Sequence, residues 1–419
     1  MEKITLNKPK RPVKIIQFGG GVFLRGFFDW MLQKANDSGV YSGNAVIVRS
    51  LTGGIDPLME QNYNYTHLAR DGKHNDVTLV DSICGSVNAS ENYEEFLALA
   101  KNPDTDVIVS NTTEAGIVYE KCEYPETACP NSYPAKLCAL LYQRYKSALG
   151  SVLIVPCELI ENNGDRLKEI VKKHAISWGL DKGFLSYLDS CSFRNTLVDR
   201  IVSGKPDEKI ELGYVDNNVN TSEYFHLFVI EGESDSRLPF DKIGLNVRYV
   251  PSVQLYRTIK VRILNGAHTS MIPYALLNNV ESVGECLKNE KISAHLRNCL
   301  EEIVDSLDVD RKEAEEYRDS VIERFLNPYI HHRCQSIALS SVSKFKVRVL
   351  PSILDYEKRY NKAPKNLVFA LHMLIEFYKR GTPSDSEEVI CKLKNGSVEE
   401  ILSDVSLWGE DISRFANME

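Results

Sequence analysis

Three side chains that can handle a proton and an oxygen fall within nine residues of the 419-residue chain. They lie in Tyr256-Arg-Thr-Ile-Lys260-Val-Arg-Ile-Leu-Asn265-Gly-Ala-His268. The stretch reads as helical. Lys260 and His268 are eight apart, a little over two turns, so they share a face, and Asn265 lies one turn before His268. Ile263 and Leu264 between them mark the segment as largely buried. A lysine on a buried face loses solvation, and its ammonium pKa moves down toward neutrality. That is the property a general acid/base needs. A carboxamide and an imidazole beside it can hold and polarise an oxygen. The same residues would also suit a buried helix whose lysine reaches toward solvent and whose histidine meets a carbonyl.

A second group lies about 240 residues upstream, in Val13-Lys-Ile-Ile-Gln-Phe18-Gly19-Gly20-Gly21-Val22-Phe23-Leu-Arg25. A short apolar run ends in three glycines and passes into a helical pattern, Phe23 to Lys34. Gly19 permits a tight turn, and Gly21 lets a pyrophosphate approach the backbone at the helix start. The third small residue of the usual G-x-G-x-x-G falls on Leu24, so the fingerprint is incomplete.

The elements that must position these groups come in two regimes. Up to about residue 250, short β-rich runs alternate with helical patterns. The runs are Val13–Phe18, Ala45–Val48, Val107–Val109, Val152–Val155, Phe225–Val229 and Val247–Val250. Such alternation predicts βαβ units with a parallel sheet, the last two runs forming a mixed or antiparallel extension. From about residue 256 the pattern is helical almost throughout. The expected fold is α/β. An N-terminal, doubly wound Rossmann-type sheet occupies residues 1–250, and a mainly α-helical domain that carries the substrate and the catalytic set occupies 251–419. Ligands of such sheets bind beyond the carboxyl ends of the strands, so Asn111, Thr112 and Thr113, directly after Val107–Val109, are expected at the cofactor or as a helix cap.

Gly19-x-Gly21-x-Phe23-x-Arg25 followed by Lys260-x4-Asn265-x2-His268 resembles the polyol-specific long-chain dehydrogenases, the mannitol dehydrogenase family. Ser110–Ile117, Pro156–Asp165, Cys191–Ile201, Leu264–Thr269 and Ser343–Pro351 resemble its tagaturonate reductase branch. Together the segments run from residue 13 to residue 351, and their order and spacing are specific. The resemblance implies hydride transfer between a nicotinamide cofactor and a sugar acid, interconverting tagaturonate and altronate. Lys260 is then the general acid/base, Asn265 and Asn195 donate to the developing oxyanion, and His268 holds a substrate hydroxyl and orients Lys260. Asn195 would serve equally as a helix N-cap. No metal is expected, because the lysine stands where other alcohol dehydrogenases use zinc. Phe18, Gly19, Gly20, Gly21, Val22, Phe23 and Arg25 are expected around the cofactor. Lys344, Arg348 and Asn163 are expected on the substrate side, the two cations for its carboxylate. Polyol members of the family carry an arginine eight residues before this lysine; here that position is Ser336, which argues against a plain mannitol enzyme.

The resemblance implies NAD. At the end of the second strand, however, stands Arg49, with no acid until Asp56, and an arginine there could accept the 2′-phosphate of NADP. The nearest alternative function is reduction of fructuronate or oxidation of a polyol. A methyltransferase using S-adenosylmethionine is a different class. It would want an acid near the glycine loop and would leave Lys260, Asn265 and His268 without purpose.

A net charge of −8 and a pI near 5.7 argue against a nucleic-acid partner. No apolar run approaches a membrane span, and Met1 to Pro12 has no apolar stretch of a signal peptide, so a cytoplasmic location is expected. The ten cysteines are scattered with no C-x-x-C pair, and are read as reduced thiols. His331-His332, after Asn327-Pro328, reads as a helix end rather than a metal set.

Overall fold

A computed structural model of the chain describes residues 4, 8–49, 56–112, 116–206 and 208–417. The chain divides into two compact units, Met1–Val253 and Gln254–Glu419.

The first unit holds thirteen described strands: β1 (Val13–Phe18), β2 (Asn44–Arg49), β3 (Tyr65–Arg70), β4 (Asn75–Val80), β5 (Ile83–Asn88), β6 (Val107–Ser110), β7 (Leu153–Pro156), β8 (Ser192–Phe193), β9 (Thr196–Asp199), β10 (Val202–Gly204), β11 (Asn220–Glu223), β12 (Leu227–Glu231) and β13 (Val247–Val250). The main sheet has the order β5-β2-β1-β6-β7-β8 and is parallel at every pairing. Its central strands are apolar on both faces, as a sheet covered on both sides requires. One core cluster lies on either face. Ile15, Ile47, Val109 and Val155 point to one, and Ile16, Val46, Ile108 and Ile154 to the other. The chain winds out in opposite directions from β1 and its neighbour β6, which puts the topological switch point at their carboxyl ends.

Two further sheets were only partly legible. The order β13-β12-β9 is mixed, with β12 parallel to β13 and antiparallel to β9. The sheet β10-β11-β3-β4 has no counterpart among the apolar runs. Its strand β11 is Asn-Thr-Ser-Glu, all four buried, so no hydrophobic alternation announces it. Hydrogen bonds stand in for apolar packing. His67 meets Ser222 at 2.9 Å, and the Arg200 Nε donates to the Glu223 carbonyl at 3.0 Å.

The expected helix after the glycines is broken into α1 (Val22–Gly26) and α2 (Phe28–Asp37) at Phe27, whose φ/ψ of −125°/−77° is not helical. The freed carbonyls of Arg25 and Gly26 accept from the Tyr65 hydroxyl and Arg200 Nη1, both at 2.8 Å. A Cβ on Gly26 would come within 2.8–2.9 Å of Val202, Asn220 and His67. Gly26 is therefore the small residue that lets this helix approach a sheet, two positions beyond Leu24.

Beneath the loop lies a buried carboxyl, Asp29. Gln17 Nε2 donates to it at 3.3 Å and to the Gly19 carbonyl at 3.1 Å. Burial raises the Asp29 pKa from 3.8 to about 7, opposed by its hydrogen bond from Gln17 and by the nearby Arg25 charge. The folded state thus holds this proton more tightly than the unfolded chain. The stability it gives is present below about pH 4, falls as pH rises, and is gone above about 7. Asp29→Asn removes that slope. Thermal midpoints at pH 5 and pH 8 should move apart, the variant gaining on the parent at the higher pH. A constant offset at both pH values would contradict this.

The first unit's other α-helices are α3 (Tyr93–Ala98), α4 (Tyr133–Lys146), α5 (Asn163–Ser177) and α6 (Lys182–Ser190). The second unit is helical: α7 (Gln254–Ile259), α8 (Gly266–Leu277), α9 (Val283–Lys288), α10 (Glu290–Ser306), α11 (Arg311–Phe325), α12 (Cys334–Ile337), α13 (Ser341–Arg348), α14 (Leu350–Tyr360) and α15 (Lys365–Arg380), with shorter helices to the C-terminus. They share one apolar core, built around Ile263, Met271, Leu300, Ile303, Phe345 and Leu371. Among the described residues no helix is long and apolar enough to cross a membrane.

Candidate active site and cofactor cavity

The lysine segment is not a plain α-helix. Between α7 and α8, Lys260–Asn265 forms a π-helix. In an α-helix residues five apart lie about 140° apart around the axis. A π-helix, with its i→i+5 hydrogen bonds, turns less per residue, so residues five apart stand nearly above one another. The π-segment therefore turns Asn265 toward the face of Lys260, and α8 adds His268 one turn on. The burial pattern agrees. From Lys260 to Thr269 the partly exposed positions are 260, 261, 265 and 268, and the remainder are buried.

The wider turn is held from behind. Arg262 is buried and donates to Ser352 Oγ at 2.6 Å and Ser306 Oγ at 3.2 Å, and pairs with Asp355 at 2.9 Å, fastening the segment to α10 and α14. The carbonyls of Asn265 and Gly266 accept from Thr269 and Ser270 hydroxyls, each at 2.8 Å. Pro273 inside α8 has no N–H to return to the turn before it. Gly266 lets α13 approach, since a Cβ there would lie 3.3 Å from the Arg348 carbonyl.

His268 lies flat on Phe325, with ring centroids 4.4 Å apart, and meets the His332 ring edge-on at 5.8 Å. Its Nε2 is buried and has no hydrogen-bond partner. Burial, reinforced by His332 and by the charges of Arg324, Arg348 and Lys344, holds its pKa well below the usual value. The ring is neutral at neutral pH, with one nitrogen left to meet a ligand. Lys344 and Arg348 stand on α13 beside it, and Lys344 Nζ donates to the Ile337 carbonyl at 2.9 Å. His332 is no mere helix end. It was missed because its partner, His268, lies 64 residues away in sequence.

In the first unit the carboxyl ends of β1, β2 and β6 open on a cavity of about 660 Å³. Phe18, Gly19, Gly20, Gly21, Arg49, Asn111 and Thr112 line it, and Thr113 lies outside the described residues. Gly19 has φ +106°, and a Cβ there would lie 2.9 Å from the Asn111 carbonyl, so only glycine suits the turn. A Cβ on Gly21 would meet nothing within 4 Å. Asp56, Leu58, Ser132 and Tyr133 also form walls; they come from a loop and from the start of the helix Tyr133–Lys146, neither of which carries a motif. Glu158, buried beneath, fixes the strand end by accepting from Thr112 N and Oγ1 at 2.9 Å and from Ser110 Oγ at 3.1 Å.

The structure places five other expected site residues outside the walls of this cavity. Val22 is exposed, and Phe23 stacks on Phe27 at 5.1 Å. Arg25 turns to the Tyr65 ring, 5.6 Å away, and to the Asp29 carboxyl, rather than into the cavity. Asn163 is fully engaged inside the unit. Its Nδ2 donates to the Pro156 and Glu158 carbonyls at 3.0 and 3.1 Å, and its Oδ1 accepts from Thr196 N at 2.8 Å. It ties β7 to β9 and offers no atom to a substrate. Asn195, likewise buried, accepts from Asp165 N at 3.0 Å in the first turn of the helix Asn163–Ser177, and donates to Asp165 at 2.8 Å and Glu231 at 3.1 Å. Its capping role is visible, exerted on a neighbouring helix.

All ten cysteines are free thiols, and among the described residues no group of three or more His, Cys, Asp or Glu is placed to hold a metal.

A glycine-turn cavity at the switch point of a parallel sheet, followed by a helical unit with a lysine–amide–imidazole face, defines a dinucleotide-binding oxidoreductase. Family models for the mannitol dehydrogenase Rossmann domain and the mannitol dehydrogenase C-terminal domain match residues 13–242 and 252–418, and the chain belongs to the mannitol dehydrogenase family. It is a dehydrogenase. The chain is 37% identical to an altronate oxidoreductase of Yersinia enterocolitica, over 98% of this chain and 94% of that one. It is 41% identical to an altronate oxidoreductase of Escherichia coli, over 88% and 80%. Among solved structures it is similar to a D-sorbitol dehydrogenase in substrate-free form, with TM-score 0.81 and 20% identity over 96% and 92% of the two chains. It is also similar to the Pseudomonas fluorescens mannitol 2-dehydrogenase ternary complex with NAD and D-mannitol, with TM-score 0.73 and 17% identity over 99% and 92%.

Proposed function

We propose that the chain is an altronate oxidoreductase that interconverts tagaturonate and altronate with NAD. The observation that carries this reading is the shared face of Lys260, Asn265 and His268 in a chain whose relatives across nearly its full length bear that name. NADH, when bound, supplies the hydride. The first unit's cavity suits its pyrophosphate at the Gly19–Gly21 turn. Asp56 in the cavity wall supports NAD over NADP, because a carboxylate favours the ribose diol over a phosphate.

In reduction the ketone oxygen gains negative charge as the carbon gains hydride. Lys260, as the ammonium, gives that oxygen a proton, and in oxidation the neutral amine takes it back. Asn265 donates an amide N–H to the same oxygen. This role falls to Asn265 rather than Asn195, whose N–H groups already serve two carboxylates. Neutral His268 uses Nε2 to hold a neighbouring hydroxyl. The carboxylate of the acid meets the cations beyond it, Lys344 and Arg348 among them.

A panel of tagaturonate, fructuronate, tagatose, fructose and mannitol with each nicotinamide cofactor, followed by nicotinamide absorbance, tests the assignment. Tagaturonate with NADH should give the highest kcat/KM. A preference for fructose or mannitol would remove the altronate reading. Lys344→Met should lower kcat/KM for the keto acid about tenfold and leave the neutral ketose nearly unchanged, because a charged contact exceeds a neutral hydrogen bond by on the order of 1 kcal/mol or more. Equal losses on both would make Lys344 structural.

A further inference from the structure

We propose that Tyr119 positions one wall of the first unit's cavity for the dinucleotide: pinned against α5, it holds its neighbours Val118 and Glu120 in that wall. The proposal rests on the dinucleotide reading of the cavity and extends it to residues outside the cavity itself.

From Val118 to Ser132, between β6 and α4, the chain has neither helix nor strand. It nevertheless supplies Val118, Glu120, Asn131 and Ser132 to the cavity wall. A wall with no hydrogen-bonded ladder of its own keeps its shape only through contacts made from outside. Those contacts fall at positions that do not face the cavity. Ile117 is buried in the core on that side of the sheet. The Tyr119 ring lies against His174 of α5, with centroids 4.7 Å apart, and Lys173 Nζ stands 4.0 Å from its centre. Trp178, at the end of α5, stands 5.2 Å from His174 and donates through Nε1 to the Cys122 carbonyl at 2.9 Å. Tyr124 meets Trp178 edge-on at 5.6 Å, and the Tyr93 hydroxyl donates to the Pro125 carbonyl at 3.0 Å. Tyr119 is thus a peg between two wall residues, and a movement of the peg moves both.

His174 is given over to this packing. Among the described residues neither of its ring nitrogens, both buried, has a hydrogen-bond partner. Burial, with the Lys173 charge beside it, lowers its pKa to about 4, so the ring is neutral at neutral pH. It serves as an aromatic plate shared by Tyr119 and Trp178. Removing the peg lowers the fraction of molecules whose wall is formed. The apparent dissociation constant rises as the reciprocal of that fraction, whereas hydride transfer in molecules already loaded keeps its rate.

The test is a fluorescence titration of the purified full-length protein with NADH. Tyr119→Ala should raise the dissociation constant about fivefold or more, while Tyr119→Phe, which keeps the ring, should stay within about twofold. The single-turnover rate at saturating NADH should stay within about twofold of the parent's in both, a split that a general loss of stability would not give. Trp178→Phe, which loses the hydrogen bond to Cys122 and keeps an aromatic ring, should raise the constant about threefold, and it decides the matter if Tyr119→Ala fails to fold by circular dichroism. Parental affinity in whichever variant folds, or a single-turnover rate that falls as far as the affinity, would overturn the positioning role. Gly21→Val in the same titration separates the two readings. A loss with Gly21→Val and none with Tyr119→Ala removes only the positioning role. Parental affinity in folded Gly21→Val removes the dinucleotide reading of the cavity, and this proposal with it.

Discussion

Lys260→Ala is expected to fold, to bind NADH as the parent does, and to lose about 10²–10⁴-fold in kcat, the usual effect of removing a general acid/base. The fold should survive because Ile259, Ile263 and Leu264, not Lys260, carry the burial of this segment. Cofactor binding should survive because the glycine turn and its cavity belong to the first unit. Lys260→Arg should not restore turnover, since a guanidinium cannot give up its proton in the working pH range. Single-turnover reduction followed by nicotinamide absorbance, beside a cofactor titration, separates these effects. Near-parental turnover in a folded Lys260→Ala protein would take the residue out of the chemistry.

The second large effect is expected at the glycine turn. Gly21→Val places a branched side chain where the structure has open space, so the protein should fold with a thermal midpoint close to the parent's. The same side chain would stand in the cavity where the pyrophosphate is proposed to lie, and the dissociation constant for NADH should rise by about tenfold or more. Gly19→Ala makes the contrast. It forces a left-handed backbone on an alanine and a contact with the Asn111 carbonyl, so stability should fall along with binding. Unchanged NADH affinity in folded Gly21→Val would mean that the dinucleotide binds elsewhere.

What the sequence disclosed depended on which forces shaped each element. β1, β2, β6 and β7 are apolar on both faces, and such runs announce themselves. Strand β11 is buried yet polar, held by its own hydrogen bonds, and periodicity is blind to it. The lysine segment was legible as one face, but α-helical spacing alone would have left Asn265 well round the axis from Lys260. The π-helix that corrects this has no sequence signature in the residue pattern. Arg25 and Asn163 look like ligand-binding residues by type, and tertiary contacts claimed them for other work. Asp29 and Glu158 support the glycine-turn cavity from below, out of reach of any motif, because Asp29 accepts from the Gln17 side chain and Glu158 from the Thr112 backbone, each brought in from a part of the chain distant in sequence. Phe325 and His332 reach His268 only through tertiary packing, across long separations in sequence.

The most direct measurement is to supply the purified protein with tagaturonate and NADH, follow nicotinamide absorbance, and identify the sugar acid that accumulates. The account predicts one NADH oxidised per altronate formed, with a kcat/KM for tagaturonate at least about tenfold above that for tagatose. No NADH oxidation with tagaturonate, or a product other than altronate, would contradict it.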